Sequence, residues 1–115
     1  MDSKSHIIHV NLENFSTEVV EKSKQVPVLV DFTADWCAPC RVLMPILNKL
    51  VEEYQGQFVL AKVDTDEEQK LAGQHGVRGF PTLKLYRHGQ IVDEAQGMQP
   101  ESVLRNMIDQ HTMTS

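Results

Sequence analysis

The stretch Val26-Pro27-Val28-Leu29-Val30-Asp31-Phe32-Thr33-Ala34-Asp35-Trp36-Cys37-Ala38-Pro39-Cys40-Arg41-Val42-Leu43-Met44-Pro45-Ile46-Leu47 decides how the chain folds. Its first third, Val26 to Phe32, is a short apolar and β-branched run, the composition of a strand buried on both faces. From Pro39 to Tyr54 the period changes. Val42, Leu43, Ile46, Leu47, Leu50 and Val51 recur at helical spacing. The pair Cys37 and Cys40, the only cysteines in the chain, therefore falls where a strand ends and a helix begins. A Cys-x-x-Cys in that setting is a redox-dithiol signature, whereas a zinc site would need two more ligands. His6, His9, His75, His88 and His111 are scattered without paired spacing, so no metal site is expected.

Outward from this junction, the pattern alternates strands and helices. A short strand is predicted at Ile7–Val10. A helix then ends near Lys24, with Ser16 and Glu18 as capping and first-turn residues and Phe15, Val19 and Val20 as its apolar stripe. Pro45 should kink the long helix, because it removes a backbone donor. A strand follows at Phe58–Val63. Asp64-Thr65-Asp66 then reads as the cap of a short helix over Glu67–Ala72, which Gly73-Gln74-His75-Gly76 breaks. Strands at Thr82–Tyr86 and Ile91–Ala95 flank Arg87-His88-Gly89-Gln90, a hairpin turn. Pro100 sits near the first position of a last helix carrying Val103, Leu104, Met107 and Ile108. The order β-α-β-α-β-α-β-β-α predicts an α/β fold, a mixed five-stranded sheet flanked on both faces by four helices.

The 115 residues suffice for one domain, here 1–115, which would bury roughly 65% of the unfolded chain's surface. No apolar run has the length of a membrane span. Met1-Asp2-Ser3-Lys4-Ser5-His6 lacks the cationic start and apolar block of a secretory signal. Two cysteines without such a signal point to a reducing compartment and a working dithiol rather than a staple. A formal net charge of −5, without a basic run, argues against a nucleic-acid partner.

The dithiol's chemistry follows from its place. Disulfide attack needs a thiolate, and a free cysteine with a pKa near about 8.5 is mostly protonated at neutral pH. The unsatisfied N–H groups and dipole at a helix N-terminus favour the anion, so Cys37 reads as the attacking sulfur. Cys40, one turn on and deeper, reads as the resolving sulfur. Pro39 stiffens the loop between them, and Trp36 reads as a partly exposed shelf beside the pair, the alternative being a core aromatic. Asp31 stands in an apolar strand where burial without a partner would raise its pKa, so it can take the Cys40 proton. Lys62, in the neighbouring strand run, is its natural charge partner or else a solvated lysine. Pro81 opens a strand, where proline is tolerated. A cis bond there would turn the Phe80 peptide toward a substrate, but few X-Pro bonds are cis. Gly97 either permits close backbone approach or is a turn residue.

These landmarks (Asp31, Trp36-Cys37-Ala38-Pro39-Cys40, Pro45, Lys62, Phe80-Pro81-Thr82 and Gly97) resemble the thioredoxin family in order and spacing over nearly the whole chain. The resemblance implies Pro81 in cis, Asp31 with Lys62 as a buried proton-handling pair, and a client groove formed by Trp36, Phe80-Pro81 and Gly97. It implies no bound cofactor, a redox-active Cys37–Cys40 disulfide reduced by a thioredoxin reductase, disulfide-containing client proteins, and a cytoplasmic monomer. Ala38 replaces the usual glycine and Arg41 the usual lysine, which bears on the redox potential. Asp35 adds negative charge opposing the thiolate, and Met98 puts a flexible apolar contact beside the groove. Tyr54–Phe58 and Gln96–Glu101 also resemble, more weakly, the thioredoxin-like domain of YbbN-type co-chaperones. On that resemblance the chain, ending at His111-Thr112-Met113-Thr114-Ser115, would be the N-terminal domain of a client-holding protein.

Overall fold

A computed structural model describes residues 6–112. The readings placed on Met1–Ser5 and Met113–Ser115 lie outside the described residues. Five strands, β1 (Ile7–His9), β2 (Val28–Thr33), β3 (Val59–Asp64), β4 (Thr82–Arg87) and β5 (Gln90–Gln96), form one sheet in the order β1-β3-β2-β4-β5. The sheet is mixed: β1 and β2 run parallel to β3, while β4 is antiparallel to β2 and β5. Three α-helices accompany it, α1 (Ala38–Tyr54), α2 (Gln69–Gln74) and α3 (Glu101–Thr112), with an N-terminal helical segment before β2. The five strands and four helices agree with the predicted architecture.

Strand β2 occupies the centre and is buried on both faces, as its apolar run implies: Val28 to Phe32 are all buried. Its alternation divides the core in two. Leu29 packs with Leu43, Leu47 and Leu50 of α1 and Leu104 and Ile108 of α3. Val28, Val30 and Phe32 pack on the other face with Phe15 and Val19 of the N-terminal segment and Leu71 of α2. The long helix runs through Pro45 without interruption.

Several boundaries differ from the sequence reading, each for a local reason. The first helix is a wide π turn, Ser16–Glu21, tightening to a 3-10 turn, Lys22–Lys24. Ser16 is not its cap, because Phe15 already has helical backbone angles. Asn11 and Asn14 shape the entry instead, each side chain accepting from the other's N–H at 2.8 and 2.9 Å. Glu18 does lie in the first turn. Asp64-Thr65-Asp66 forms a turn rather than a helix cap: the Asp64 carboxylate accepts from Asp66 N and its carbonyl from Glu67 N and Glu68 N. Helix α2 thus starts only at Gln69. It also passes through Gly73 and ends at Gln74, since Gly76, not Gly73, adopts the left-handed φ of +66° that terminates helices. Helix α3 begins at Glu101, so Pro100 precedes it and supplies the carbonyl to Val103 N and Leu104 N.

The predicted hairpin turn is present, with His88 and Gly89 both at positive φ. It is fastened to the N-terminal segment through Ser23, which is fully buried. The Ser23 hydroxyl donates to Val20 O and accepts from Gly89 N at 2.9 Å. Its carbonyl accepts from His88 N and Arg87 Nη1, both at 2.8 Å. Ser23→Ala leaves the Gly89 N–H without its partner. Losing the acceptor of a part-buried backbone donor costs about 1–3 kcal/mol, so the unfolding free energy of the variant should fall by that amount, read as a lower urea midpoint with an unchanged m-value.

Candidate active site

The site grows from the end of β2. After Thr33 the chain turns through Ala34-Asp35-Trp36, and Cys37 becomes the N-cap of α1 with extended backbone angles. Pro39 lies in the helix's first positions, where its missing N–H costs nothing. The Cys37 Sγ accepts the Cys40 N–H at 3.2 Å, so a sulfur occupies the place of a capping oxygen. Cys37 and Cys40 are joined as a disulfide with Cα atoms 5.3 Å apart. The expectation that Cys40 lies deeper does not hold in this state. Both residues are 4% exposed, packed together with Ala34 and against Phe80, because the bond draws the two sulfurs into one small cluster. Ala38 and Pro39 face solvent between them.

Trp36 is 62% exposed, a surface shelf rather than a core aromatic. Two contacts orient it: the indole Nε1 donates to Asp66 Oδ1 at 3.1 Å, and the ring meets Phe80 edge to face at 5.5 Å. From sequence Asp66 reads only as part of a helix cap, not as a residue of the site. It lies 30 residues away, and only the pairing of β2 with β3 brings the two strand ends together. The Phe80-Pro81 bond is cis. The Thr82 hydroxyl donates to Gly79 O at 2.6 Å, and Gly97 N donates to Pro81 O at 2.8 Å, tying this loop to the end of β5. Gly97 has φ of +75° and open space where a Cβ would project, and Met98 beside it is 40% exposed. Phe80 thus packs on the disulfide cluster with Trp36 against it, and the Pro81–Gly97 link holds the loop that carries Phe80. Asp35 is exposed, and its carbonyl accepts from Arg41 Nε at 3.2 Å. This brings a guanidinium to the loop that Asp35 makes acidic.

Asp31 lies on the α1 face of the sheet, the face of Leu29, in register with Lys62 on β3 and Leu83 on β4. It is 6% exposed and its Oδ1 has no hydrogen-bond partner. Burial pushes the carboxyl up to about 6, and the positive charge of Lys62 draws it part of the way back. Lys62 is half-buried and makes no ion pair with Asp31. Its side chain instead lines a cleft of ≈ 220 Å³ with His9, Asn11, Asp64, Glu67 and Glu68. Sequence reasoning also passed over His75. Its Nδ1–H donates to Leu71 O at 3.0 Å and its Nε2 accepts from Tyr86 OH at 2.7 Å. Burial holds its pKa down, and it packs between Phe15 and Phe32. It belongs to the core on the face away from Asp31.

A cysteine pair closed as a disulfide at a helix N-terminus, with an exposed indole and a phenyl ring packed beside it, defines a protein of the thiol–disulfide exchange class. The family model for thioredoxin matches residues 6–110. Relatives include a thioredoxin of Chlorobaculum thiosulfatiphilum, 39% identical over 86% of this chain and 90% of its own. Thioredoxin 1 of Synechococcus elongatus is 43% identical over 84% of this chain and 89% of its own. A thioredoxin of Haemophilus influenzae is 38% identical over 93% and 98%. The chain belongs to the thioredoxin family, and it is a protein-disulfide oxidoreductase whose redox centre is the Cys37–Cys40 pair.

The Asp31 carboxyl makes stability depend on pH. It titrates near 3.8 in the unfolded chain and near 6 in the folded one, so the folded state holds the proton more tightly. That contribution is fully present below about 3.8 and is lost as pH rises through about 6, amounting to roughly 3 kcal/mol. Asp31→Asn keeps the volume and removes the charge. Urea unfolding at several pH values should show the variant more stable than wild type at pH 7, the two converging below pH 4.

Proposed function

We propose that this chain is a general protein-disulfide reductase in which Cys37 is the nucleophile, Cys40 resolves, and Asp31 is the base for the second step. The observation that carries the reading is Cys37 at the N-cap of α1, its Sγ already accepting the Cys40 N–H at 3.2 Å. In the reduced protein this donor and the helix dipole favour a thiolate on Cys37. The thiolate attacks one sulfur of a client disulfide, forming the Cys37–client bond and expelling the other client sulfur as a thiolate. Asp31 then takes the Cys40 proton. The Cys40 thiolate attacks Cys37 Sγ, breaks the mixed disulfide, and releases the second client sulfur. The client gains two electrons and the cysteine pair loses two. A thioredoxin reductase, drawing on NADPH, would restore the dithiol, with no cofactor bound to this chain.

Trp36, Ala38, Pro39, Phe80, Pro81, Gly97 and Met98 would form the client-binding rim. In this reading 1–115 is one domain and acts as a cytoplasmic monomer on protein disulfides, with no nucleic-acid or membrane partner. That no helix among the described residues is long and apolar enough to cross a membrane is consistent with it. A second reading, a client-holding domain of a co-chaperone, draws on two exposed apolar side chains at the rim, Trp36 and Met98.

Cys40→Ser should accumulate mixed disulfides with clients, and Cys37→Ser should accumulate none, as read on non-reducing gels after thiol blocking. Equal trapping by both would overturn the assignment of the nucleophile. Insulin reduction with dithiothreitol, run beside suppression of client aggregation, separates the two readings. Accelerated reduction supports the reductase, and suppression of aggregation without acceleration supports the holding domain.

A further inference from the structure

His75 caps the C-terminal end of α2, shortly before Phe80 in the chain. Both of its ring nitrogens are partnered, and the partners fix their roles. A carbonyl can only accept, so Nδ1 carries the proton that is donated to Leu71 O at 3.0 Å. Nε2 is then a lone pair, and it accepts from Tyr86 OH at 2.7 Å. Burial raises the Tyr86 pKa, so that hydroxyl keeps its proton. The bond ties the end of α2 to β4. Strand β4 also holds the far end of the same segment, where the Thr82 hydroxyl donates to Gly79 O at 2.6 Å. Thr82, Lys84 and Tyr86 are the register partners of Phe32, Val30 and Val28 on β2, which belong to the core away from α1. The segment from His75 to Gly79 is therefore strapped along about 13 Å of one sheet face, by Tyr86 at one end and Thr82 at the other. Between the two, Val77 packs into the same core and its N–H donates to Ala72 O. The next residue after the strap is Phe80, whose ring packs against Ala34, Cys37 and Cys40.

A second proton on this imidazole meets unfavourable neighbours. From α2 it faces the Leu71 carbonyl, and from the N-terminal segment and β2 the uncharged rings of Phe15 and Phe32, at 4.9 and 5.0 Å. From β4 it faces the Tyr86 hydroxyl and the charge of Lys84, whose ammonium is held at 2.6 Å by Glu94 of β5. Protonation would turn Nε2 into a donor facing a donor. The proton of the buried Tyr86 hydroxyl would lose its acceptor, and a second cation would join Lys84. Burial first, and the Lys84 charge, accordingly hold the His75 pKa below the ordinary 6.5, against the opposite pull of the Leu71 carbonyl. The neutral arrangement is complete above about 6.5 and weakens as pH falls through the lower folded value. We propose that the His75–Tyr86 bond is a pH-sensitive clasp that positions Phe80. Closed, it seats the Phe80 ring beside the disulfide; a proton taken from acid solution at Nε2 frees the end of α2 from β4 and loosens that seat. His75 touches no sulfur, so it is a positioning residue, and its effect falls on client binding rather than on the exchange chemistry. That consequence rests on the reading of Phe80 as part of the client rim.

The Asp31 carboxyl also titrates near 6, so the spectroscopic arm of the experiment uses oxidised Asp31→Asn protein. The His75 and Phe80 ring resonances are followed by NMR from about pH 8 to about pH 4.5 in this background, alone and combined with His75→Gln or Tyr86→Phe. Glutamine can offer Tyr86 an amide oxygen but has no proton to gain. The Phe80 signals should move with the His75 midpoint in the parent and stay fixed with His75→Gln. In Tyr86→Phe the His75 midpoint should rise, because a bond that favours the neutral ring is gone. The kinetic arm measures kcat and KM for insulin reduction by wild type and His75→Gln. Between about pH 7.5 and about pH 5 the wild-type KM should rise roughly 3- to 10-fold, the range one hydrogen bond supplies. In His75→Gln it should rise less than about 2-fold, with kcat changing alike in both proteins. Phe80 signals that ignore the His75 titration, a midpoint unmoved in Tyr86→Phe, or an equal KM rise in both proteins would overturn the clasp. If Phe80 follows His75 while KM stays constant, the assignment of Phe80 to the client rim fails and the clasp stands.

Discussion

The structure depends on a central strand that is buried on both faces and must still deliver a sulfur to the surface at its end. Val28 to Phe32 have neighbours on both sides in the sheet and helices above and below. Such a strand cannot shift by one residue without exchanging the two cores, since Leu29 belongs to one and Val28, Val30 and Phe32 to the other. Its register therefore sets where the chain leaves the sheet, where α1 begins, and so where Cys37 meets the free N–H groups of the first turn. The same constraint makes Asp31 costly. A carboxyl on this strand has no water to ionise into and no partner for its Oδ1, and its pKa rises accordingly.

Much of this was legible from local pattern. The apolar run of β2, the helical period of α1, the Arg87–Gln90 turn and the Cys-x-x-Cys at the junction all encode their structure within a few residues, and the five-strand, four-helix order follows from them. What was not legible depends on pairs far apart in sequence. Asp66 reaches Trp36 across 30 residues, and Ser23 reaches the hairpin across more than 60. Lys84 is another case. It is buried and paired with Glu94 on β5 at 2.6 Å, a partner that only the pairing of β4 with β5 supplies. The helix boundaries that moved did so where Asn and Asp side chains bonded neighbouring backbone groups and offered an alternative to capping.

The helices that hold the site in place are joined at the surface as well as in the core. Arg105 of α3 donates to Glu101 and bridges to Glu53 of α1, which also lies near Lys49, and Tyr54 OH donates to Asp109 at 2.6 Å. The Tyr54 hydroxyl is correspondingly hard to ionise, its pKa pushed up to about 12 by burial first and the Asp109 carboxylate second. Single exposed ion pairs contribute little, but these lie at the C-terminal half of α1, opposite the dithiol. They add a second hold on a helix whose N-terminus must stay open to clients.

The donor that would stabilise a Cys37 thiolate is already aimed at that sulfur in the oxidised pair, since Cys40 N points to Cys37 Sγ at 3.2 Å. The backbone of α1's first turn then need not rearrange when the bond opens, and a preorganised donor costs no reorganisation at the moment of reaction. The rim is held in the same way. Asp66 and Phe80 orient Trp36, and Gly97 N fixes the Pro81 carbonyl. The Pro81 carbonyl already accepts one hydrogen bond within the chain, so in the proposed reading a client would engage other backbone groups of this loop and the exposed side chains of Trp36 and Met98. In that reading, opening the disulfide would change the sulfurs and their proton while the backbone donor stays in place, and the exposed side chains at the rim would adjust to different clients.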